Sequence, residues 1–257
     1  MKSDGVVVLE RALGILQWIA ARRDAGLAEI AQGTGLGKST VLRLIGCLET
    51  TGLLARQSDT QRYHVGPRVL EYSFAASRGN TLITVVHPHM VALEEDLAET
   101  VALHVRVGDR RLCIAEVESR TPLRYVHGVG SSGPLYAGAV GKVILANQEP
   151  AEQKDLLRRV SLQPITSSAP LHLQELEAEL AVVRTRGFAL SRGEVVAGAV
   201  SVATPVFDRR GDLVAAMSVT GLGERVPEER LGSVVGRLRD AAAAASRTLG
   251  HQSQFVC

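Results

Sequence analysis

The chain has 257 residues, enough for two domains of ordinary size, and its 46% apolar content is normal for a folded protein with a packed core. Its longest apolar runs, such as residues 196–206, are broken by glycine and proline and are shorter than the roughly 20 residues that a membrane helix needs, so no membrane partner is expected. The net charge of +2 does not by itself indicate a nucleic-acid-binding protein, although residues 1–80 hold ten Lys and Arg against seven Asp and Glu.

The first 52 residues predict three helices. Apolar residues recur every three or four positions from residue 8 to residue 20, which is typical of a helix with one buried face. A short second helix over 27–32 leads into the glycine-rich turn 33–37, and a third helix runs from Lys38 to a stop at Gly52. This order predicts a helix-turn-helix. No secretion signal precedes it, so we expect the protein in the cytoplasm.

Two short strands are predicted after the third helix, over 53–56 and 62–65, around a polar turn at 57–61. A hairpin in this place is the wing of a winged helix-turn-helix. We therefore expect residues 1–66 to form an all-α winged helix-turn-helix domain with a small β wing.

The third helix has an outward face suited to DNA. Rotation by about 100° per residue groups Val41, Ile45 and Leu48 on one side and leaves Arg43 on the other, with Ser39, Gly46 and Thr50. Arg43 can make two hydrogen bonds to a guanine edge in the major groove of double-stranded DNA. Further contacts, to phosphate or the minor groove, are expected from Lys38, Ser39, Thr40, Arg56 and Arg62. The alternative is an interaction module that binds no DNA.

The segment 33–40 also invites a second interpretation, a phosphate-binding loop that ends in Gly37, Lys38 and Ser39. That motif needs a glycine five residues before Gly37, where this chain has Gln32. The residues that precede it also lack the apolar run of a buried parallel strand. Nucleotide hydrolysis is therefore disfavoured.

The remainder of the chain predicts a linker helix over 67–80 and a second domain over 81–257. The first helix of this domain spans 81–97, and strands follow at 100–107 and 111–118. Helices are predicted at 136–147, 151–160 and 173–186, strands at 199–207 and 213–221, and a last helix at about 227–249. Strands at both ends with helices between them predict an α+β domain with an antiparallel sheet.

Nothing in the sequence predicts catalysis, a cofactor or a metal site. The three cysteines are far apart and lack metal-binding spacing, and we expect Cys47 and Cys113 to be small buried apolar residues. The seven histidines are scattered and form no known catalytic motif. The enzymatic alternative is a GAF-like redox enzyme that uses Cys113.

Several segments together resemble the IclR family of bacterial regulators. In the first domain they are 9–16 (LERALGIL), 38–44 (KSTVLRL) and 63–66 (YHVG), and in the second they are 123–131, 134–142, 186–188 and 203–208. The likeness extends from Val8 to Leu249. It implies a GAF-like effector domain and a homodimer, often paired into a tetramer, on a palindromic operator. The chain is thus expected to regulate transcription in response to a small molecule.

The resemblance also places the effector between the sheet and the helices that follow it. The positions that carry over are Tyr125, Ala139, Ser191, Glu194, Ser201, Ser218 and Thr220. Ser218 and Thr220 are two apart on one predicted strand and share a face, and Ser201 lies on the neighbouring strand. Hydroxyls suit a carboxylate, so we expect a small organic acid, with Tyr125 able to stack on an aromatic one. Glu194 would repel such a ligand unless protonated or turned aside.

Overall fold

The computed structural model describes residues 4–78, 81–169 and 172–252, which divide into two compact units, residues 1–80 and 81–257. Among the described residues, every helix is too short or too polar to span a bilayer. The elements of the first unit are α1 (Asp4–Ala20), α2 (Leu27–Thr34), α3 (Lys38–Thr50), β1 (Leu54–Arg56), β2 (Tyr63–Val65) and α4 (Arg68–Arg78).

The first unit is a winged helix-turn-helix. Its core is formed by the apolar faces of α1, α2 and α3, with Ile15, Ile30 and Ile45 completely buried. The turn between α2 and α3 depends on Gly35, which has a φ of 68° and donates its N–H to the carbonyl of Gln32. Glycine adopts this left-handed conformation without steric cost. The predicted helical domain with a small β wing is confirmed.

The wing is anchored to the rest of the first unit through the backbone. Strands β1 and β2 pair antiparallel, with Ala55 opposite His64. Tyr63 also exchanges both backbone hydrogen bonds with Ala25, in the segment between α1 and α2. This additional bridge fixes the base of the hairpin relative to α2.

The second unit is built around a six-stranded antiparallel sheet. Strand order across it is β5-β4-β3-β8-β7-β6, and every pairing is antiparallel. Its elements are α5 (Thr81–Leu97), β3 (Thr100–Val107), β4 (Arg110–Val117), β5 (Ser132–Pro134), α6 (Gly138–Ala146), α7 (Pro150–Arg159), α8 (Leu173–Arg186), β6 (Ala189–Arg192), β7 (Ala199–Phe207), β8 (Leu213–Leu222) and α9 (Glu228–Thr248). The predicted antiparallel α+β domain is confirmed.

Helices cover both faces of this sheet. Alternate residues of each strand point to opposite faces, so Val202 and Val219 pack with α5 and α9, whereas Ala203 and Ala216 pack with the helices on the other side. On that other side α6 crosses the strands and is buried along its whole length, with α7 and α8 packed outside it. The side chains on the α6 face of the sheet form the site described below.

Two strands and two helix starts differ from the sequence prediction, and the first of these helices, α1, begins at Asp4 instead of residue 8. Strands β5 and β6, at the two edges of the sheet, were not predicted because three or four residues are too few to show an alternating pattern. Pro134 also argues against a strand, although proline is tolerated at a sheet edge. Helix α6 begins at Gly138 instead of Tyr136, because Ala137 is still extended and Gly138 has a φ of 81°.

Candidate functional site

The outward face of α3 is polar and lies in the first unit. Val41, Leu44, Ile45 and Leu48 are buried against α1 and α2. On the opposite side the exposed residues are Lys38, Ser39, Arg43 and Thr50, while Thr40 is partly buried. The helix therefore presents the residues that the 3.6-residue period predicted.

Two cations on α3 have no counter-charge among the residues that the structure describes. Within the described part of the chain, neither Lys38 nor Arg43 makes an ion pair or a side-chain hydrogen bond. The N-cap residue of α3 is Gly37, which has no side chain to bind the first N–H groups of the helix. Free N–H groups at a helix start, next to unpaired positive charge, are suited to bind phosphate oxygens.

The two wing arginines differ in their surroundings. Arg56 is exposed, its guanidinium 5.3 Å from the centre of the Tyr63 ring. Arg62 instead forms ion pairs with Asp24 and with Glu29, the latter at 2.7 Å between Nη2 and Oε2. These hydrogen bonds raise the pKa of Arg62, whose charge is compensated. Its predicted phosphate contact stays a prediction, and the structure gives Arg62 a different role, in tying β2 to α2.

The expectation that Cys47 is buried was wrong. Cys47 is exposed on α3, whereas Cys113 is buried as expected. Cys47 is adjacent to the buried Leu48 in sequence, but it lies about 100° from Leu48 around the helix axis, at the margin of the apolar stripe.

A cavity in the second unit lies between the α6 face of the sheet and the segment between β6 and β7. Its empty volume, which includes space that is open to solvent, is about 370 Å³. Six of the seven predicted effector positions line it: Tyr125, Ala139, Ser191, Glu194, Ser201 and Thr220. Arg111 and His127 also line it, and neither was predicted.

Strand register brings the polar residues of the cavity together. Ser191 of β6 lies opposite Ser201 of β7, and Ser201 lies opposite Thr220 of β8. The hydroxyls of Ser201 and Thr220 are 2.9 Å apart, and the Thr220 hydroxyl is 3.1 Å from Nε2 of His127. Ser201, Thr220 and His127 therefore form one continuous hydrogen-bonded chain along the cavity wall.

His127 is uncharged at neutral pH. Burial, followed by the positive charge of Arg111, lowers its pKa to about 4. The backbone that carries it is fixed by Glu116, whose two carboxylate oxygens accept the N–H groups of His127 and Gly128 at 2.6 and 2.8 Å. A neutral imidazole can either donate to or accept from a bound oxygen.

Ser218 lies outside the cavity. It is on the same face of β8 as Thr220, but it is completely buried and its hydroxyl donates to the carbonyl of Ala102 at 3.5 Å. Its register partners are Ala102 and Ala203, so it lies one pleat away from the row of Ser201 and Thr220. We therefore leave Ser218 out of the proposed site.

Glu194 is neutralised by a lysine that the sequence analysis did not single out. Lys142 of α6 donates to Glu194 at 2.6 Å and to Glu179 at 2.8 Å, and its side chain is only 3% exposed. The second oxygen of Glu194 accepts the N–H of Gly138 at 3.0 Å. These bonds hold the carboxylate of Glu194 against α6, where its charge is paired with Lys142 and does not repel an acidic ligand.

The chemistry of Cys113 does not favour redox catalysis. Burial, with the nearby Glu116, raises the pKa of this thiol to about 12, and Sγ lies 3.5 Å from the carbonyl of Ala115. Reactive cysteines are instead partly exposed thiolates. Among the described residues, no three His, Cys, Asp or Glu side chains are grouped so that they could hold a metal ion.

Comparison with known proteins is consistent with both sites. Residues 74–247 match the family model described as bacterial transcriptional regulator IclR C-terminal, and residues 8–58 match the IclR helix-turn-helix domain. The chain belongs to the IclR family. It is a DNA-binding transcriptional regulator.

Individual IclR-family proteins align over nearly the whole chain. The regulator BhcR of Paracoccus denitrificans is 33% identical over 96% of this chain and 87% of its own. The crystal structure of Thermotoga maritima IclR is 30% identical, with a TM-score of 0.70 over 96% of this chain and all of that one. An IclR homologue of Microbacterium hydrocarbonoxydans, solved in complex with 4-hydroxybenzoate, shares the fold at 23% identity and a TM-score of 0.77, over 94% of this chain and 98% of that one.

The IclR-family resemblance located most of the cavity, including Glu194, but it did not point to the cations Arg111 and Lys142. Lys142 lies within the apolar helix α6, and a lysine there signals a buried ion pair because an unpaired one would be too costly. Arg111 and Cys113 are two residues apart on β4 and therefore point to the same face of the strand, which is buried. Both signals are present in the sequence itself.

Proposed function

We propose that residues 1–66 bind a palindromic operator as half of a homodimer, that residues 67–80 link the domains, and that residues 81–257 bind the effector and hold the oligomer. The observation that carries the DNA-binding part is the exposed face of α3, on which Arg43 and Lys38 have no counter-charge within the described residues. One winged helix has few side chains with which to specify a site, so pairing across a two-fold axis is the expected route to specificity.

Arg43→Ala is expected to weaken operator binding by about 1–3 kcal/mol and to relax sequence preference, because a bidentate contact to a base edge is lost. Lys38→Ala should weaken binding to all sequences similarly and reduce its salt dependence, because it removes a phosphate contact. Fluorescence anisotropy with operator and scrambled duplexes at several salt concentrations measures both effects.

Arg209→Ala is the matched control for this experiment, because Arg209 is an exposed arginine in the turn between β7 and β8. The same titration gives stoichiometry, and two or four chains per near-palindromic site are expected. Unchanged affinity and selectivity of Arg43→Ala would refute the assignment of α3. One chain bound tightly to a non-repeated site would refute the pairing, and no salt-dependent DNA binding at all would favour the interaction-module alternative.

We further propose that the effector is a small organic acid that binds in the cavity beside Ser201, Thr220 and His127. The support is the hydrogen-bonded chain of these three residues, which offers hydroxyl and imidazole groups to a ligand oxygen. The Microbacterium homologue was crystallised with 4-hydroxybenzoate, itself an organic acid. Tyr125, beside His127 at 4.6 Å between ring centres, can stack on an aromatic ligand.

The double variant Ser201→Ala/Thr220→Val is expected to bind the effector about 5- to 30-fold more weakly, because two hydrogen bonds to ligand oxygen are lost at about 0.5–1 kcal/mol each or more. Thermal shift with pyruvate and 4-hydroxybenzoate as first probes identifies a ligand, and calorimetry gives its affinity. Ser218→Ala is the control, since Ser218 is on the same strand but outside the cavity. If the double variant kept full affinity, or if Ser218→Ala lost as much, the effector would bind elsewhere.

We also propose that the protein acts in the cytoplasm, where bacterial DNA lies, and that it is not an enzyme. The protonated state of Cys113 argues against the redox alternative. The protein should regulate genes by binding DNA and should turn over no substrate.

A further inference from the structure

Arg111 occupies an unusual position in the cavity wall. It lies on β4 opposite Gly133 of the edge strand β5, and it is only 8% exposed. A Cβ atom on Gly133 would be 2.8 Å from Nη2 and 2.9 Å from Cζ of Arg111. The guanidinium therefore lies against the backbone of Gly133, in space that only glycine leaves free.

The Arg111 guanidinium has no partner in the part of the chain that the structure describes. Among residues 4–78, 81–169 and 172–252 no side chain forms an ion pair with it, it makes no hydrogen bond, and its Nε is buried without an acceptor. A buried guanidinium normally has a carboxylate or several carbonyl oxygens around it. Its pKa is lowered, first of all by burial.

The groups near Arg111 do not neutralise it. Cys113 is a protonated thiol and His127 a neutral imidazole at pH 7. The carboxylate of Glu116 accepts hydrogen bonds from the N–H groups of the loop that carries His127. The carboxylate of Glu194 forms an ion pair with Lys142. Arg111 is therefore a cation of the cavity wall that has no ion-pair partner among the described residues.

We propose that Arg111 binds the carboxylate of the effector and selects acids with a single negative charge that also carry an uncharged polar oxygen. This rests on the proposed effector function of the cavity. A carboxylate would give the buried guanidinium the bidentate partner that its planar shape fits. A second carboxylate would find no further unpaired cation among the described residues that line the cavity. Ser201, Thr220 and His127 would bind a hydroxyl or carbonyl oxygen.

The test compares acids with their uncharged amides. Thermal shift and calorimetry are run with pyruvate, lactate, benzoate and 4-hydroxybenzoate, with the primary amide of each, and with malonate and succinate. The proteins are the full chain, Arg111→Met, Arg111→Lys and the control Arg110→Met, which removes the exposed arginine next in sequence.

We expect at least one monocarboxylate to bind the full chain and Arg110→Met, with its amide and the dicarboxylates binding much more weakly. Arg111→Met should lose about 30-fold or more in affinity, and Arg111→Lys should lose less, because it keeps the charge without the bidentate geometry. Without ligand, Arg111→Met should melt a few degrees higher than the full chain, because it removes a buried unpaired charge.

The proposal is overturned if an amide binds as tightly as its acid, if Arg111→Met keeps full affinity, or if no acid stabilises the full chain more than it stabilises Arg111→Met. Dicarboxylates that bind as tightly as monocarboxylates would overturn the single-charge selection. Operator binding by the same proteins separates this proposal from the proposed function. If a neutral compound binds in the cavity and changes DNA binding, the effector cavity stands and the role of Arg111 fails.

Discussion

Lys142→Met is expected to lower the free energy of unfolding of the second unit by about 3–5 kcal/mol. The ammonium of Lys142 bonds to two glutamates from inside the α6 layer, and the side chain of Glu194 is only 9% exposed. Removal of one partner of a buried ion pair leaves the other charge without compensation, which is the most costly way to disrupt such a pair. The double variant Lys142→Met/Glu194→Gln should recover much of the loss.

Urea denaturation followed by circular dichroism measures this effect. The single tryptophan, Trp18, is in the first unit, so its fluorescence reports separately on that unit. Lys154→Met, which removes an exposed lysine on α7, is the control and should change stability by less than about 0.5 kcal/mol. A loss below about 1 kcal/mol for Lys142→Met would show that Glu194 does not depend on Lys142.

The second unit is expected to lose up to about 3 kcal/mol of stability through His127 as the pH falls from 6.5 to 4. In the folded state the pKa of His127 is about 4, against an ordinary value of 6.5. Between these two pH values His127 is protonated in the unfolded chain but not in the folded chain, so a falling pH favours unfolding. Above pH 6.5 neither state is protonated and the effect vanishes. Burial also lowers the pKa of His104, whose ring lies 5.0 Å from that of His127, and adds a loss of the same sign.

Because many carboxylates also titrate in this range, the measured quantity is the difference in unfolding free energy between the full chain and His127→Gln. Glutamine keeps a group that can hydrogen-bond to Thr220 but cannot be protonated in this range. The unfolding free energy of the variant relative to that of the full chain should increase steadily as the pH falls from 6.5 to 4. His87→Gln, an exposed position on α5, should show no such trend. A difference that stays constant with pH would mean that His127 titrates normally.

Local patterns were sufficient to predict the helices and the long strands. The period of Val41, Ile45 and Leu48 correctly placed Arg43 on the exposed face of α3. Alternation placed Ser218 and Thr220 on one face of β8, and the structure shows both on that face. In each case the spacing along one element determined where the side chain points.

What the sequence could not show depends on contacts between distant segments. Arg62 looks like a free wing cation until the fold brings Asp24 and Glu29 beside it. Ser218 and Thr220 are two apart on β8 and point to the same face of the sheet. Only the register with β3 and β7 shows that, of these two, Thr220 reaches the cavity. These outcomes follow from pairings across dozens of residues, which no local period encodes.

The strand order also affects how the protein is made. The two halves of the sheet, β3–β5 and β6–β8, join only where β3 pairs with β8, and Thr100 of β3 lies opposite Thr220. At a synthesis rate of 5–20 residues per second, β3 waits roughly 6–24 s on the ribosome before its partner is synthesised. During that time one edge of β3 is an unpaired template for other strands, whereas the first unit has already been synthesised and can fold. We expect aggregation during synthesis to begin at β3, and chaperones that shield strand edges to raise the yield of folded protein.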